Sequence, residues 1–489
     1  MKTMKTSWKN PSWLAAILAS VGLIALHLTS CTRQNVAKRD AGTREASTPA
    51  TGPLAIALAP HAGQGRLDEQ IRRFQGEVRS NRNVHASLDR LGWLYVGKAR
   101  ESFDAGYYTL AEQCALALDS LQPNCPEALL LRGHALHSQH RFGEAVALAT
   151  QLVSARGLAS DHGLLGDILV DVGRVDEATR AYQAMLDLKP DPQGYARAAH
   201  LRWLKGDLEG AVEIMRMAAT GASPRDAESA AWMHTQLARY LWQSGATTEA
   251  QDAIESALAF RTNYPPALLL HGRRLLAGDW PEAAIESLEQ AARLNPLPEY
   301  HWALAEALHA ACRESDARAI EQEILTNGSR NDPRTCSLFL ATRQEHLELA
   351  VQLARQELAE RADVFSHDAL AWALAASGKL AEAESHMQQA LALGTQDARL
   401  WLHAGVIAAR NGKRTEAGEW LRKADERKAQ LLPAERAHLR DAKELLVGRT
   451  SSVSPNFISE NSTTEITDSC NSSLHPFSAA AVHGPVVKN

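Results

Sequence analysis

GDILVDVGRVDEA, residues 166–178, decides the fold: a small residue (Gly166), a glycine (Gly173) and an alanine (Ala178) stand at fixed offsets. The alanine follows the small residue by twelve positions and the glycine by five. Working outward, the same alanine recurs as Ala111, Ala145, Ala211, Ala250, Ala284, Ala317, Ala350, Ala383 and Ala417, at intervals of 33 or 34 residues with one gap of 39. Twelve positions earlier stand Ala99, Gly133, Ala199, Ala238, Gly272, Ala305, Ala371 and Gly405, and only Leu338 departs. A period of this length marks a stack of supersecondary units. Small side chains at both places let two antiparallel helices cross closely without voids. Gly106, Gly173, Gly206, Gly245, Gly378 and Gly412 lie where a helix stop needs positive φ. Pro123, Pro190 and Pro296 close second helices, because proline cannot continue one.

This pattern resembles the tetratricopeptide repeat (TPR) over roughly residues 90–429, in about ten units. The resemblance implies an all-α protein, a right-handed superhelical solenoid of about ten TPR helical hairpins. The unit near Asn331 is the weakest, with Leu338 for the small residue and no glycine turn. The long gap before Ala250 holds Gly221-Ala-Ser-Pro224 and reads as a longer loop between repeats.

Around the array (92–429) the sequence suggests caps and tails. Leu67, Ile71 and Phe74 share one face of an entry helix inside an N-terminal cap of 67–91. Pro433 to Leu446 reads as a closing helix, charged side to water, within a C-terminal cap of 430–448. Residues 31–66 suit a flexible tether, and 449–489, rich in Ser, Thr and Asn, suit a disordered tail. Asn461 and Asn471 match a glycosylation acceptor only through that tail's composition.

At the start, Lys2, Lys5 and Lys9 precede an apolar run from Trp13 to Leu26, the layout of an export signal (1–30). The run is short for a membrane span, which needs about 20 apolar residues. Leu28-Thr-Ser-Cys31 then resembles the bacterial lipobox, which implies lipid attachment at Cys31 and a membrane anchor. Thr32 after that cysteine, by resemblance to the enterobacterial sorting rule, implies the periplasmic side of the outer membrane in a bacterial cell envelope. The remaining cysteines are scattered without Cys-x-x-Cys spacing, and a Cys114–Cys125 bridge would require the chain to turn back.

A net charge of −5 from 52 basic and 57 acidic residues gives no basic stripe, so nucleic acid is not an expected partner. No His-Glu-x-x-His, Gly-x-Ser-x-Gly or phosphate-cradling loop occurs, and neither an enzyme nor a cofactor is expected. His134, His137 and His140 form a spaced run without a fourth ligand, so no metal is expected there. Asp161-His162 and Glu345-His346 read as solvated pairs.

The resemblance places binding on first helices, at positions one and four after the small residue and three before it, which share a face. In the first units these are Arg100, Phe103, His134, His137 and Asp167. The middle of the array contributes His200, Trp203, Arg239, Trp242 and Arg273, with Trp232 near that wall. Towards the C-terminus stand Trp302, Glu306, His309, Phe365, Asp368 and Trp372. Aromatics with Arg and His suit recognition of peptide segments of other proteins. The expected function is thus a protein-interaction scaffold with a concave groove. The rival is a carbohydrate- or metal-binding accessory of an envelope enzyme, in which the same Trp- and His-rich wall contacts sugar or ion.

Overall fold

The computed structural model describes residues 52–448. The export segment, Cys31, most of the tether and the tail lie outside the described residues. Two helices lead in: α1 (Pro53–Ala57) and α2 (Arg66–Arg79). Ten antiparallel hairpins follow. The first four are α3 (Val84–Ser102) with α4 (Gly106–Leu121), α5 (Pro126–Ser138) with α6 (Phe142–Ala155), α7 (Ala159–Asp171) with α8 (Val175–Leu188), and α9 (Pro192–Leu204) with α10 (Leu208–Thr220). The middle pairs are α11 (Ala227–Ser244) with α12 (Thr247–Phe260), α13 (Pro265–Ala277) with α14 (Pro281–Leu294), and α15 (Pro298–Ala310) with α16 (Glu314–Asn331). The last are α17 (Pro333–Arg343) with α18 (Leu347–Glu360), α19 (Val364–Ala376) with α20 (Leu380–Leu391), and α21 (Ala398–Arg410) with α22 (Arg414–Glu426). A 3-10 turn at Lys428–Gln430 leads to α23 (Pro433–Val447). No strand occurs among the described residues.

The small positions sit at helix crossings. A Cβ on Gly166 would come within 2.2 Å of the Tyr182 ring, and one on Gly272 or Gly405 would strike Leu288 or Leu421 of its own hairpin. The turns obey the same offset. Gly173, Gly206, Gly245, Gly378 and Gly412 have positive φ, and where glycine is missing His140, Asp279 and Cys312 take the left-handed conformation instead. Gly106 is an exception: it starts α4, and Phe103 is the left-handed residue that ends α3.

Several expectations need correction. Residues 53–66 do not run free: Ala57 is fully buried, its carbonyl accepts from Tyr95 Oη at 2.8 Å, and Arg79 and Arg72 hold Leu58 and Gly63. Residues 84–91, assigned to the cap, form the start of α3. The 39-residue gap is divided between its loop and a longer first helix, α11. Asp161 is fully buried rather than solvated, because it caps Leu158 N–H and pairs with Arg156 at 2.6 Å. In α23 the charged residues do not all face water. Glu435 and His438 are buried against the inner wall. Cys114 and Cys125 are both free thiols.

Candidate binding cavity

The array coils until distant hairpins touch. Thr395 Oγ1 donates to Leu204 O at 2.6 Å and Gln396 Nε2 to Gly206 O at 2.7 Å, across about 190 residues of chain. Arg361 pairs with Asp171 over the same span. Gly173 is pressed so close to Ala362 that a Cβ would sit 2.2 Å from its carbonyl oxygen. Gln430 joins from the C-terminal side, donating to Trp242 O at 3.2 Å and accepting from Arg273 Nη2 at 2.8 Å.

These contacts enclose a cavity of about 480 Å³ on the inner wall. It is lined from the α7–α8 corner and from α9, α11, α13, α15, α17, α19 and α21. Of the residues predicted for the groove, His200, Trp203, Arg239, Trp242, Arg273, Trp302, Phe365 and Asp368 line it. Most of their surface is already spent on one another. Trp203, 3% exposed, stacks between Tyr240 (5.7 Å) and Phe365 (5.6 Å). Trp242 is 6% exposed beneath Arg273, and Trp302 is 2% exposed beneath Arg399.

Charge around the cavity is almost wholly paired. Arg361 and Arg334 share Asp363 at 2.9 and 3.2 Å. Arg399 pairs with Glu435, and Arg273 faces Glu299 at 3.8 Å. Arg239 differs: its guanidinium lies 4.8 Å above the Trp203 ring, and no carboxylate among the described residues reaches it. Its Nε is buried without a hydrogen-bond partner. Burial, reinforced by Arg239, pushes the His200 imidazole down to about 4, so it stands neutral beside that guanidinium. Burial alone would raise the Asp171 carboxyl, but the hydrogen bond from His137 and the charge of Arg361 hold it below the usual range.

The other predicted residues lie elsewhere. Arg100 pairs with Glu228, and Phe103 packs on Tyr264 at 6.2 Å under Arg261. Asp167 takes a bidentate Arg197 at 2.7 Å and the Tyr182 hydroxyl. His137 bonds Asp171 at 2.7 Å and, like His140, packs on Phe142, while His134 sits edge-on to Trp93, so the three histidines do not gather into a ligand group among the described residues. Glu306 accepts from Trp302 Nε1 and Ala434 N, and burial raises its carboxyl. His309 bridges Glu314 and Glu321. Trp372 stacks on His403 at 4.1 Å, which binds Asp368. Trp232 is 36% exposed.

Sequence reading missed Asp171, Arg334, Arg361, Asp397, Arg399 and Gln430. Most belong to helix ends or to connections between hairpins, outside the first-helix positions that the repeat marks. For Arg334, Arg361, Asp397 and Arg399 the one signal is an arginine or aspartate within a few residues of a first-helix start, which alone does not separate a cavity from a helix cap; Asp171 ends α7, Gln430 lies in the 3-10 turn, and neither carries even that signal.

The tetratricopeptide repeat model matches residues 164–227, 269–333 and 369–431, spans that cover α7–α10, α13–α16 and α19–α22 almost entirely. No curated protein matches the sequence. Among solved structures the chain is similar to the crystal structure of MamA, with 14% identity over 33% of this chain and 93% of that one and a TM-score of 0.27. It is similar to the yeast Tom70 crystal structure at 13% identity, over 78% of this chain and 93% of that one, with a TM-score of 0.32. The MamA RS-1 ArsTM double mutant shares 16% identity over 35% and 94%, with a TM-score of 0.27.

Proposed function

We propose, for a chain whose tetratricopeptide repeats build a protein-interaction scaffold, that the partner is a short segment presenting a carboxylate to Arg239. The observation that carries this reading is the guanidinium on Trp203 that no carboxylate among the described residues reaches, in a cavity where every other lining arginine has an acid. A planar guanidinium held on an aromatic face is preorganised for a bidentate carboxylate. The volume falls in the range of small-ligand pockets, about 300–1,000 Å³, and suits a few residues of extended chain rather than a helix.

The site of action we propose is the bacterial envelope, with a lipid on Cys31. That reading rests on the basic start, apolar run and lipobox-like Leu28-Thr-Ser-Cys31. Among the described residues no helix is long and apolar enough to cross a membrane. Tethering at Cys31 would raise the effective concentration of partners at the same surface.

The test is affinity capture from detergent-solubilised envelope, wild type against Arg239→Gln, followed by peptide titration of whatever is retained. A partner peptide should bind the variant about tenfold or more weakly, a loss of roughly 1.4 kcal/mol or greater. Equal affinities would move the binding surface off the cavity. Trp203 and Trp242 are unsuited to this test because both are core. For the anchor, Cys31→Ala should shift the protein from membrane to soluble fractions; unchanged fractionation would reject lipidation.

A further inference from the structure

We propose that His85, Cys125 and Glu127 form a site for one zinc-class divalent cation, which ties the first hairpin to the second. His85 is the second residue of α3, Cys125 is the N-cap of α5 and Glu127 lies in the first turn of α5. These two first helices lie side by side, so their starting turns meet. One ligand atom from each residue lies within 4.8 Å of the other two. An imidazole nitrogen, a sulfur and a carboxylate oxygen together form the mixed donor set that a borderline ion such as Zn²⁺ accepts, with a fourth tetrahedral position for water.

Two further observations point to a ligand. His85 Nε2 is buried and lacks a hydrogen-bond partner among the described residues, an arrangement that is costly unless something uses the nitrogen. Cys125 is a free thiol only 2% exposed, and it stands at the N-terminus of α5. Glu127 is held only by Arg156 at a long 3.8 Å, so its carboxylate is available. Asp89, one helical turn after His85, adds negative field, and Arg90 lies near it.

The experiment uses the full chain, reduced and stripped with chelator, titrated with Co²⁺ and then Zn²⁺. One equivalent of Co²⁺ should produce a thiolate-to-cobalt charge-transfer band with the ligand-field bands of a four-coordinate site, and Zn²⁺ should erase both. Cys125→Ser should abolish the charge-transfer band, and Cys336→Ser should leave it intact. His85→Gln is a conservative change at a half-buried position, and should weaken binding by about tenfold or more. It should also remove the rise in melting temperature that Zn²⁺ gives the wild type. Absence of a saturable cobalt band, or a band and a melting shift that survive both Cys125→Ser and His85→Gln, overturns the site.

Discussion

Gly173 and Gly378 hold the same place in their repeats and the same φ of +77°, yet their surroundings differ. A Cβ on Gly378 meets nothing within 4 Å, whereas one on Gly173 meets the Ala362 carbonyl. Gly378→Ala should therefore cost only the left-handed penalty, about 1 kcal/mol. Gly173→Ala adds a backbone clash at the point where distant hairpins touch, and should cost at least about 1 kcal/mol more. Urea midpoints of the two variants measure the difference; equal midpoints would mean that the Ala362 carbonyl yields freely. The turn role of both glycines was legible in the sequence, because the offset of five from the repeat alanine is a local property. The second role of Gly173 was not, since its neighbour lies far along the chain and no spacing rule connects them.

The helices themselves show where a repeat pattern stops being informative. In α17 the small residue is displaced: Ser337, not Leu338, is fully buried at the crossing, and its hydroxyl donates to Ala350 O at 2.8 Å. The turn moves with it, to a left-handed Gln344 one position earlier than the repeat expects. This slip carries Leu338 onto the cavity wall. The sequence flagged the unit as weak but could not choose the new register, because serine and leucine adjoin and only packing separates them. The closing helix α23 is the other case, where a charged, amphipathic sequence turns a buried acid inward. Glu435 pairs with Arg399 and also accepts from Leu432 N at 2.7 Å, whereas Glu426 on α22 makes an exposed pair with Arg422. Removing one partner of a buried pair costs about 3–5 kcal/mol, and an exposed helix pair is worth about 0.5 kcal/mol or less. Because Arg399 keeps some solvent access, Glu435→Gln should cost about 2–4 kcal/mol by denaturant unfolding and Glu426→Gln almost nothing. Comparable losses would show that α23 packs more loosely than its contacts imply.

Over the whole molecule, a repeat grammar of local offsets says how each hairpin packs on the next but not how tightly the coil winds, so the enclosed cavity was not legible as such. Its tryptophans and two of its arginines, Arg239 and Arg273, were, since they stand at marked first-helix positions; their mutual burial follows only once hairpins about 190 residues apart are brought together. That burial has a consequence in acid. His134 and His200 are each pushed down to about 4, chiefly by burial, and burial lowers His367 and His438 as well. The unfolded chain takes up those protons near 6.5, so between about pH 6.5 and 4 it binds more protons than the folded array. The stabilisation from these neutral histidines is therefore complete above that window and is lost as pH falls through it. His309 acts in the opposite sense: burial lowers it, but Glu321 and Glu314 outweigh that and raise it, so its contribution is lost as pH rises. With several lowered histidines against one raised, urea midpoints should fall from pH 7.5 to pH 5. After allowance for solvent screening, His134 and His200 should contribute about 1 kcal/mol each. His134→Gln combined with His200→Asn should flatten that slope by about the same amount at equal protein concentration. An undiminished slope in the double variant would place the acid sensitivity in the carboxylates, such as Asp171 at the closure, instead of in the inner-wall histidines.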